Sequence, residues 1–274
     1  MKRLDYYYPS LSGSWLLVAL LIGGSLILGL LLGVLQMIFP SPILGSTTVS
    51  YLCSMVLPML FIWVMATRGR NEGVPAVAVN QPAFGRLKGF PTFALAGLAM
   101  LALTVVIDPI TSLMPMPELI KSLFEKIFLQ TKLGDTIIAT CILAPLLEEL
   151  LCRGMIQRGI ARTHSPRSAI LWSAFIFALI HLNPWQAIPA FALGLLFGWV
   201  YYRTGCLWLT IFLHCLNNSL STLLSRLIPD MGIDAGFMDI LSTENYIALY
   251  AGAAALLAGC IWLLRKYLPK PVAQ

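Results

Sequence analysis

Eight apolar stretches separated by short polar loops dominate this sequence. A helix needs about 20 mostly apolar residues to cross roughly 30 Å of hydrocarbon, because each residue rises about 1.5 Å. The stretches therefore predict an all-α, polytopic membrane bundle of about eight transmembrane helices, of which the third and fifth are short. They run from Trp15 to Phe39, Val49 to Ala66, Phe93 to Ile107, Thr136 to Gly159, Ser168 to His181, Trp185 to Tyr202, Leu207 to Leu224 and Tyr246 to Leu264.

The low charged content agrees with this membrane location. Only 11% of the 274 residues are Asp, Glu, Lys or Arg, and 58% are hydrophobic, whereas an ordinary soluble domain is about 25% charged. So few charged side chains cannot cover the surface of a soluble domain of this size. We therefore predict a single membrane domain over residues 1–274, without a separate soluble domain or an internal repeat.

The basic residues lie between the stretches in a pattern that predicts topology. Loops in the cytoplasm carry the excess of Lys and Arg. With the N-terminus in the cytoplasm, 13 basic residues lie on the cytoplasmic side and four lie outside. The net charge of +6 is therefore interpreted as a topology signal and not as a nucleic-acid surface. The cytoplasmic set is Lys2, Arg3, Arg68, Arg70, Arg86, Lys88, Arg158, Arg162, Arg167, Arg203, Arg265, Lys266 and Lys270, and the outer set is Lys121, Lys126, Lys132 and Arg226.

The termini and loops add four further predictions. Pro9 and the length of the first stretch predict a retained helix instead of a cleaved signal, and both termini are predicted to be cytoplasmic. Apolar residues three and four apart between Glu118 and Lys132 predict an amphipathic helix, which lies at the membrane interface or packs on the bundle. The segment from Arg68 to Phe90 is predicted to be a linker loop. Six cysteines without CxxC spacing are interpreted as small core residues.

A small set of polar side chains falls within the predicted helices, where each ionisable group costs a few kcal/mol. Glu149 and Arg153 are four residues apart, so they share a helix face and can pair. His214 and Asn218 share a face for the same reason. These polar residues could have separate structural roles, as a salt bridge between helices and as hydrogen-bonded core histidines. Their similar depth in the membrane instead favours one shared site. The set is Glu148, Glu149 and Arg153 in the fourth stretch, His181 in the fifth, and His214 and Asn218 in the seventh.

These side-chain types favour hydrolysis. A glutamate and a histidine can deprotonate water, while an imidazole and an amide stabilise the oxyanion that forms at a carbonyl. The same Glu148, His181, His214 and Asn218 could instead ligate a divalent metal such as zinc, cobalt or manganese. The sequence has no HExxH, GxSxG or GxGD motif of other hydrolases. Asp108, which precedes Pro109, is interpreted as a helix-boundary residue.

Three short motifs resemble the CPBP (CAAX protease and bacteriocin-processing, or Abi) family, which includes the eukaryotic CAAX prenyl endopeptidase. EExxxR occurs from Glu148 to Arg153, FxxxH from Phe177 to His181, and HxxxN from His214 to Asn218, in the order of the family. They fall within a motif core at about residues 136–225.

The resemblance implies a role for each residue of the motifs. Glu148 with His181 would activate the water, His214 with Asn218 would form the oxyanion hole, and Glu149 and Arg153 would support them. Family members are described both as metalloproteases and as glutamate proteases. The wide spacing of the donors along the sequence favours the metal-independent mechanism, although a metal cofactor such as zinc stays open.

The preferred hypothesis is an intramembrane endopeptidase that cleaves a membrane-associated protein or peptide with an activated water. The alternatives are a non-proteolytic bacteriocin-immunity or scaffolding protein, and a proton-coupled transporter. The expected partners are the lipid bilayer and a peptide or protein substrate, with no nucleic acid. Short loops and the lack of an organelle retention signal predict the cytoplasmic (inner) membrane of a bacterium, where a prenylated substrate is not expected.

Overall fold

The computed structural model describes residues 2–128, 131–227 and 236–269, and this part of the chain is helical, with no strand. The predicted all-α class is confirmed, and each of the eight apolar stretches falls on a helix. The helices are α1 (Leu11–Ile38), α2 (Thr47–Asn71), α3 (Gly89–Ser112), α4 (Glu118–Phe128), α5 (residues 133–160), α6 (Pro166–Leu179), α7 (Pro184–Thr204), α8 (Leu207–Leu227), α9 (Phe237–Ile240) and α10 (Thr243–Tyr267).

Five helices of the described chain are long and apolar enough to cross a membrane, namely α1, α2, α3, α8 and α10. Their outward faces are apolar, as shown by exposed Leu30 and Met37 on α1 and Trp262 on α10. A surface of this kind is stable only in lipid, so the chain is an integral membrane protein. The other three predicted spans, α5 to α7, include the 14-residue α6 and the polar α5.

The core consists of two apolar clusters. One includes Leu17, Ile62 and Met155 from α1, α2 and α5, and the other includes Met100 and Leu264 from α3 and α10. Helix α6 contributes to the first cluster and α7 to the second, and these two helices pack on each other. The two clusters therefore meet along α6 and α7, beside the polar residues of α5.

Helix α5 departs from regular α-helical geometry. Ile137–Leu143 and Leu150–Gln157 form wider π turns, and the α-helical segment Ala144–Glu149 lies between them. A π turn bonds residue i to i+5, so it changes the direction of the side chains that follow and is frequent at functional sites. The paired glutamates Glu148 and Glu149 end the α-helical segment between the two π turns.

One end of the bundle, called here the basic end, is closed by the N-terminal segment and the connection from α2 to α3. Buried Arg158 donates hydrogen bonds to the backbone carbonyls of Leu4 (3.0 Å), Tyr7 (2.8 Å) and Val77. The linker predicted from Arg68 to Phe90 is shorter than expected, since α2 continues to Asn71 and α3 begins at Gly89. The buried guanidinium holds these segments because each carbonyl accepts one of its N–H groups.

The opposite end, called here the cavity end, comprises the α1–α2 connection, residues 113–128 and 131–135, and residues 225–227 and 236–244. The Asp135 carboxylate accepts hydrogen bonds from the backbone N–H groups of Thr47 (2.7 Å) and Thr48 (3.1 Å) and so caps α2. Desolvation raises the pKa of Asp135, but these hydrogen bonds outweigh it and hold the pKa below its ordinary value. The cap ties the start of α5 to α2.

The amphipathic helix predicted from Glu118 to Lys132 is confirmed over Glu118–Phe128, and residues 129–130 lie outside the described residues. All six cysteines are free thiols, and Cys141, Cys152, Cys206 and Cys260 are buried. The interpretation of the cysteines as small core residues is confirmed for these four, whereas the other two are half-buried.

Candidate active site

A cavity of about 560 Å³ extends from the interior of the bundle towards the cavity end. Its volume falls in the range of pockets that hold small ligands or short peptide segments. The four predicted catalytic side chains, Glu148, His181, His214 and Asn218, all line it. The two predicted supporting residues, Glu149 and Arg153, do not line it and lie behind its wall.

Glu148 lines this cavity, and one of its two carboxylate oxygens has no hydrogen-bond partner in the described chain. The residue is 9% exposed, and its Oε1 accepts a hydrogen bond from the hydroxyl of Tyr51 on α2 at 3.2 Å. Its Oε2 is buried without a hydrogen-bond partner in the described chain. An unpaired buried carboxylate oxygen is costly, and sites of catalysis are where proteins retain such groups. Glu148 is therefore placed to take a proton from a group that enters the cavity.

Behind the cavity wall, Glu149 and Arg153 form a fully buried ion pair. Each is 0% exposed, and Arg153 Nη1 donates to Glu149 Oε1 at 2.9 Å. Arg153 Nη2 donates to the Gly194 carbonyl at 3.0 Å, and its guanidinium lies 4.5 Å from the ring centroid of Phe177. The lack of a side chain at Gly194 permits this approach, since a Cβ there would lie 3.3 Å from Nη2 and 3.1 Å from Ala174.

His214 connects this ion pair to the cavity. Its Nδ1 lies 3.1 Å from Glu149 Oε1, and its ring makes edge contacts with Phe177 at a centroid distance of 5.4 Å. Phe197 of α7 packs on the same ring at 6.0 Å. Because a carboxylate can only accept, Nδ1 carries the hydrogen, and Nε2 is left for other contacts. The His214 ring is therefore held by its hydrogen bond to Glu149 and by contacts with Phe177 and Phe197, which belong to the two core clusters.

His181 lies in the turn between α6 and α7. Its Nδ1 donates to the Phe177 carbonyl at 2.7 Å, which leaves Nε2 as an acceptor when the ring is neutral. The next residue, Leu182, has φ of 56°, in the left-handed region that is strained for a leucine. Asn183 then caps α7 by accepting from the Gln186 N–H at 2.8 Å, and it donates to the His181 carbonyl at 2.8 Å. The sharp turn and the cap hold the imidazole at the cavity.

Asn218 is held by the first π turn of α5. Its Nδ2 donates to the Thr140 carbonyl at 2.8 Å, and its Oδ1 accepts from Asn217 at 3.2 Å. One N–H of the amide is thus used, and the second is the group that remains for a ligand. The hydrogen bond aligns α8 with α5 at the level of the site.

The donors do not form a metal site as they are arranged. In residues 2–128, 131–227 and 236–269, no three His, Cys, Asp or Glu side chains cluster as metal ligands do. His214 uses Nδ1 for Glu149, and the Asn218 amide is bound to backbone and Asn217. A zinc site needs three protein ligands around one point, so we derive no step through a metal.

Sequence reasoning missed two residues of the cavity. Tyr51 is one of three hydroxyl residues in the second apolar stretch, and nothing in its spacing pointed to Glu148. Asp108 was interpreted as a helix boundary, and this was wrong, because α3 continues through Pro109 to Ser112. Proline is tolerated there because it removes only one backbone hydrogen bond of the last turn. Asp108 is buried and lines the cavity.

The fold and the site define a membrane helix bundle with a buried glutamate and histidine centre, and comparisons agree with this class. Residues 133–220 match the family model for type II CAAX prenyl endopeptidase Rce1-like proteins. The match contains α5, α6, α7 and most of α8, and with them all three motifs.

A Bacillus subtilis (strain 168) protein described as "Putative membrane peptidase YdiL" is 31% identical over 83 residues. The aligned segment is 30% of this chain and 34% of that protein, so the chain spans about a third of the length of its curated relative. No solved structure matches the chain. The family match and this relative confirm that the chain resembles the CPBP family of membrane proteases.

Proposed function

We propose that the chain is an intramembrane endopeptidase that hydrolyses a peptide bond of a membrane-associated protein or peptide. The observation that carries this proposal is that Glu148, His181, His214 and Asn218 line one cavity, with Glu148 Oε2 left without a hydrogen-bond partner in the described chain. The similarity to a protein described as a membrane peptidase supports it. The motif core at about residues 136–225 would be the protease part of a single membrane domain over residues 1–274.

The proposed reaction begins with a water bound between Glu148 and His181. Glu148 Oε2 or His181 Nε2 accepts a proton from this water as its oxygen bonds to the peptide carbonyl carbon. The C=O bond becomes single, and the oxyanion forms on the side of His214 and Asn218. The C=O bond then re-forms as the C–N bond breaks, and the group that took the proton returns it to the peptide nitrogen, which yields a carboxylic acid and an amine.

The oxyanion donors follow from the hydrogen bonds already described. The second N–H of the Asn218 amide is one donor. His214 Nε2 is the other, and it carries a hydrogen only when the ring is protonated, because Nδ1–H is given to Glu149. The Glu149 carboxylate stabilises that protonated ring as the third group of a catalytic triad does. Glu149 and Arg153 thus have supporting roles in the proposed reaction.

Tyr51 is proposed as a positioning residue for Glu148. Its hydroxyl donates to Oε1 and so fixes the orientation of the carboxylate, whose Oε2 has no partner in the described chain. We expect Tyr51→Phe to lower kcat about tenfold with little change in KM, because the bond orients the base without holding substrate. Tyr201→Phe, which loses a 2.6 Å bond to the Val79 carbonyl, is the matched control, since neither residue lines the cavity. Equal loss of kcat in both variants, or a change in KM alone, contradicts the role.

The topology proposed for the chain is eight spanning helices with both termini in the cytoplasm of a bacterial cell, in the inner membrane. The hydrogen bonds of Arg158 to Leu4 and Tyr7, and of Arg203 to the Arg265 carbonyl, bring basic segments from four parts of the chain to one end. The excess of Lys and Arg at this end supports its cytoplasmic location.

The topology predicts which positions an impermeant thiol reagent reaches in intact cells. Cysteine introduced at Glu244, at the cavity end, is expected to react from outside, and cysteine at Arg86, at the basic end, only after lysis. The parent protein, whose native cysteines are buried or half-buried, gives the background. The reverse pattern, or reaction at both positions, would show that the orientation is wrong.

The proposed hydrolysis is tested by comparing membrane peptides from cells that express wild-type or Glu148→Ala protein, using mass spectrometry. New peptide termini that depend on Glu148 identify the substrate and the cleaved bond. Reconstitution of that substrate with purified protein in proteoliposomes shows whether cleavage is direct. Protection or binding that Glu148→Gln protein retains in full would instead support the non-proteolytic alternative.

A further inference from the structure

The cavity contains a second carboxylate, far along the sequence from the candidate catalytic residues. Asp108 on α3 is 8% exposed and lines the same cavity as Glu148. Its Oδ1 accepts from the Phe237 N–H at 3.1 Å, and its Oδ2 accepts from the Tyr246 hydroxyl at 3.1 Å. Both oxygens therefore accept hydrogen bonds, as those of an ionised carboxylate do.

The two partners of Asp108 are neutral groups. Among the described residues, no Lys, Arg or His forms an ion pair with this carboxylate. By contrast, the fully buried carboxylate of Glu149 is paired with Arg153 and His214. A buried charge without a counter-ion is costly, and a cation that enters the cavity recovers part of this cost. Asp108 differs from Glu149 in having its charge available to a ligand.

The charge of the surrounding chain is consistent with attraction of a cation. In residues 108–128, 131–135, 226–227 and 236–244, acidic residues outnumber basic ones by two, although the whole chain carries +6. A negative field at the mouth of a cavity raises the local concentration of positive ligands. The acidic residues are Asp108, Glu118, Glu125, Asp135, Asp239 and Glu244, and the basic ones are Lys121, Lys126, Lys132 and Arg226.

The walls between the two carboxylates are mainly apolar. Ile107, Met114, Phe124 and Leu193 all line the cavity. Such walls favour aliphatic or aromatic side chains of a ligand. A peptide that fits the whole cavity is therefore apolar, with one positive group at the Asp108 position.

We propose that Asp108 binds a lysine or arginine side chain of the substrate, so that the protease selects apolar peptides with a basic residue at a fixed distance from the cleaved bond. The selection of a cleaved peptide rests on the proposed function, whereas binding of the basic side chain to Asp108 does not require cleavage. Asp108 acts as a specificity residue and not in the chemical step. Its hydrogen bonds to Phe237 and Tyr246 also connect α3 to α9 and α10, and this structural role must be separated from recognition.

Binding is measured with full-length Glu148→Gln protein in nanodiscs, so that peptides are not cleaved. The probes are eight-residue peptides of Leu and Ala, acetylated, amidated and carrying a neutral fluorophore, with one Lys moved along the positions. Each has a Gln and a Glu counterpart. We expect the best Lys peptide to bind about tenfold more tightly than its Gln counterpart, a difference of about 1.4 kcal/mol, and the Glu peptide to bind most weakly.

The variants separate recognition from structure. Asp108→Asn in this background should bind Lys and Gln peptides alike. Tyr246→Phe removes a hydrogen bond of the same carboxylate but keeps its charge, and it should keep the preference for Lys. Lack of a Lys preference in the parent, including lack of any binding, overturns the proposal. So does a preference that survives Asp108→Asn, or one that both variants lose.

The two proposals fail in different ways in this design. A Lys preference that depends on Asp108, together with wild-type protein that cleaves no peptide, would reject hydrolysis and keep the binding site. Cleavage that depends on Glu148, without any preference at the Asp108 position, would keep hydrolysis and reject the binding site.

Discussion

Replacement of Glu148 with Gln is expected to reduce cleavage of the identified substrate at least 100-fold. A positioned general base contributes roughly 10² to 10⁴ in rate, and Gln cannot accept the proton of the water. The fold should be unaffected, because Gln has the size of Glu and its carbonyl oxygen still accepts from Tyr51. Single-turnover cleavage in proteoliposomes gives the rate, and a thermal unfolding curve in detergent gives the stability.

Controls make this result specific. His181→Ala and His214→Ala should also reduce cleavage by 100-fold or more, whereas Glu244→Gln, an exposed acid of α10, should cleave at the wild-type rate. A chelator should leave wild-type cleavage unchanged, because the described donors are not arranged as metal ligands. Wild-type rates in the Glu148→Gln protein would remove Glu148 from the mechanism. Inhibition by the chelator that added zinc reverses would reject the metal-independent reaction.

The sequence predicted the helical class because apolar length is a strong signal for a spanning helix. Each predicted stretch falls on a helix, and α1, α2, α3, α8 and α10 have the apolar content of a span. Helices α5 to α7 give a weaker signal because they carry the buried polar side chains, including Arg153 and Gln157. The site residues therefore lower the hydropathy of the helices that carry them. Because hydropathy is the signal for a span, the number of spans is least certain from sequence in α5 to α7.

The candidate site was predicted less completely than the fold. The four-residue spacing of Glu149 and Arg153 predicted that they can pair, and the structure contains this ion pair. The π turns of α5 and the left-handed Leu182 have no clear sequence signal, since both depend on packing against other helices. Helical periodicity alone therefore could not give the direction of Glu148 or His181. The contacts of Tyr51 and Asp108 join residues more than 90 positions apart and also required the structure.

Buried charge makes Glu149 and Arg153 the residues whose loss should reduce stability most. Glu149→Ala leaves the Arg153 guanidinium fully buried with only the Gly194 carbonyl and two aromatic rings around it. Removal of one partner from a buried pair costs about 3–5 kcal/mol. For a chain of this size that corresponds to a decrease in Tm of roughly 10 °C. Cleavage should fall as well, because His214 loses the carboxylate that holds its Nδ1.

The double variant Glu149→Leu/Arg153→Met distinguishes a pair from two separate residues. Apolar side chains of similar volume often replace a buried ion pair without loss of stability, so we expect the double variant to regain most of the Tm lost by Glu149→Leu alone. Its cleavage should stay low, because the leucine cannot accept the His214 Nδ1–H. A double variant that is less stable than either single variant would show that Glu149 and Arg153 stabilise the protein separately and not as a pair. Recovery of cleavage with stability would show that His214 does not need Glu149, and the proposed supporting role would then be wrong.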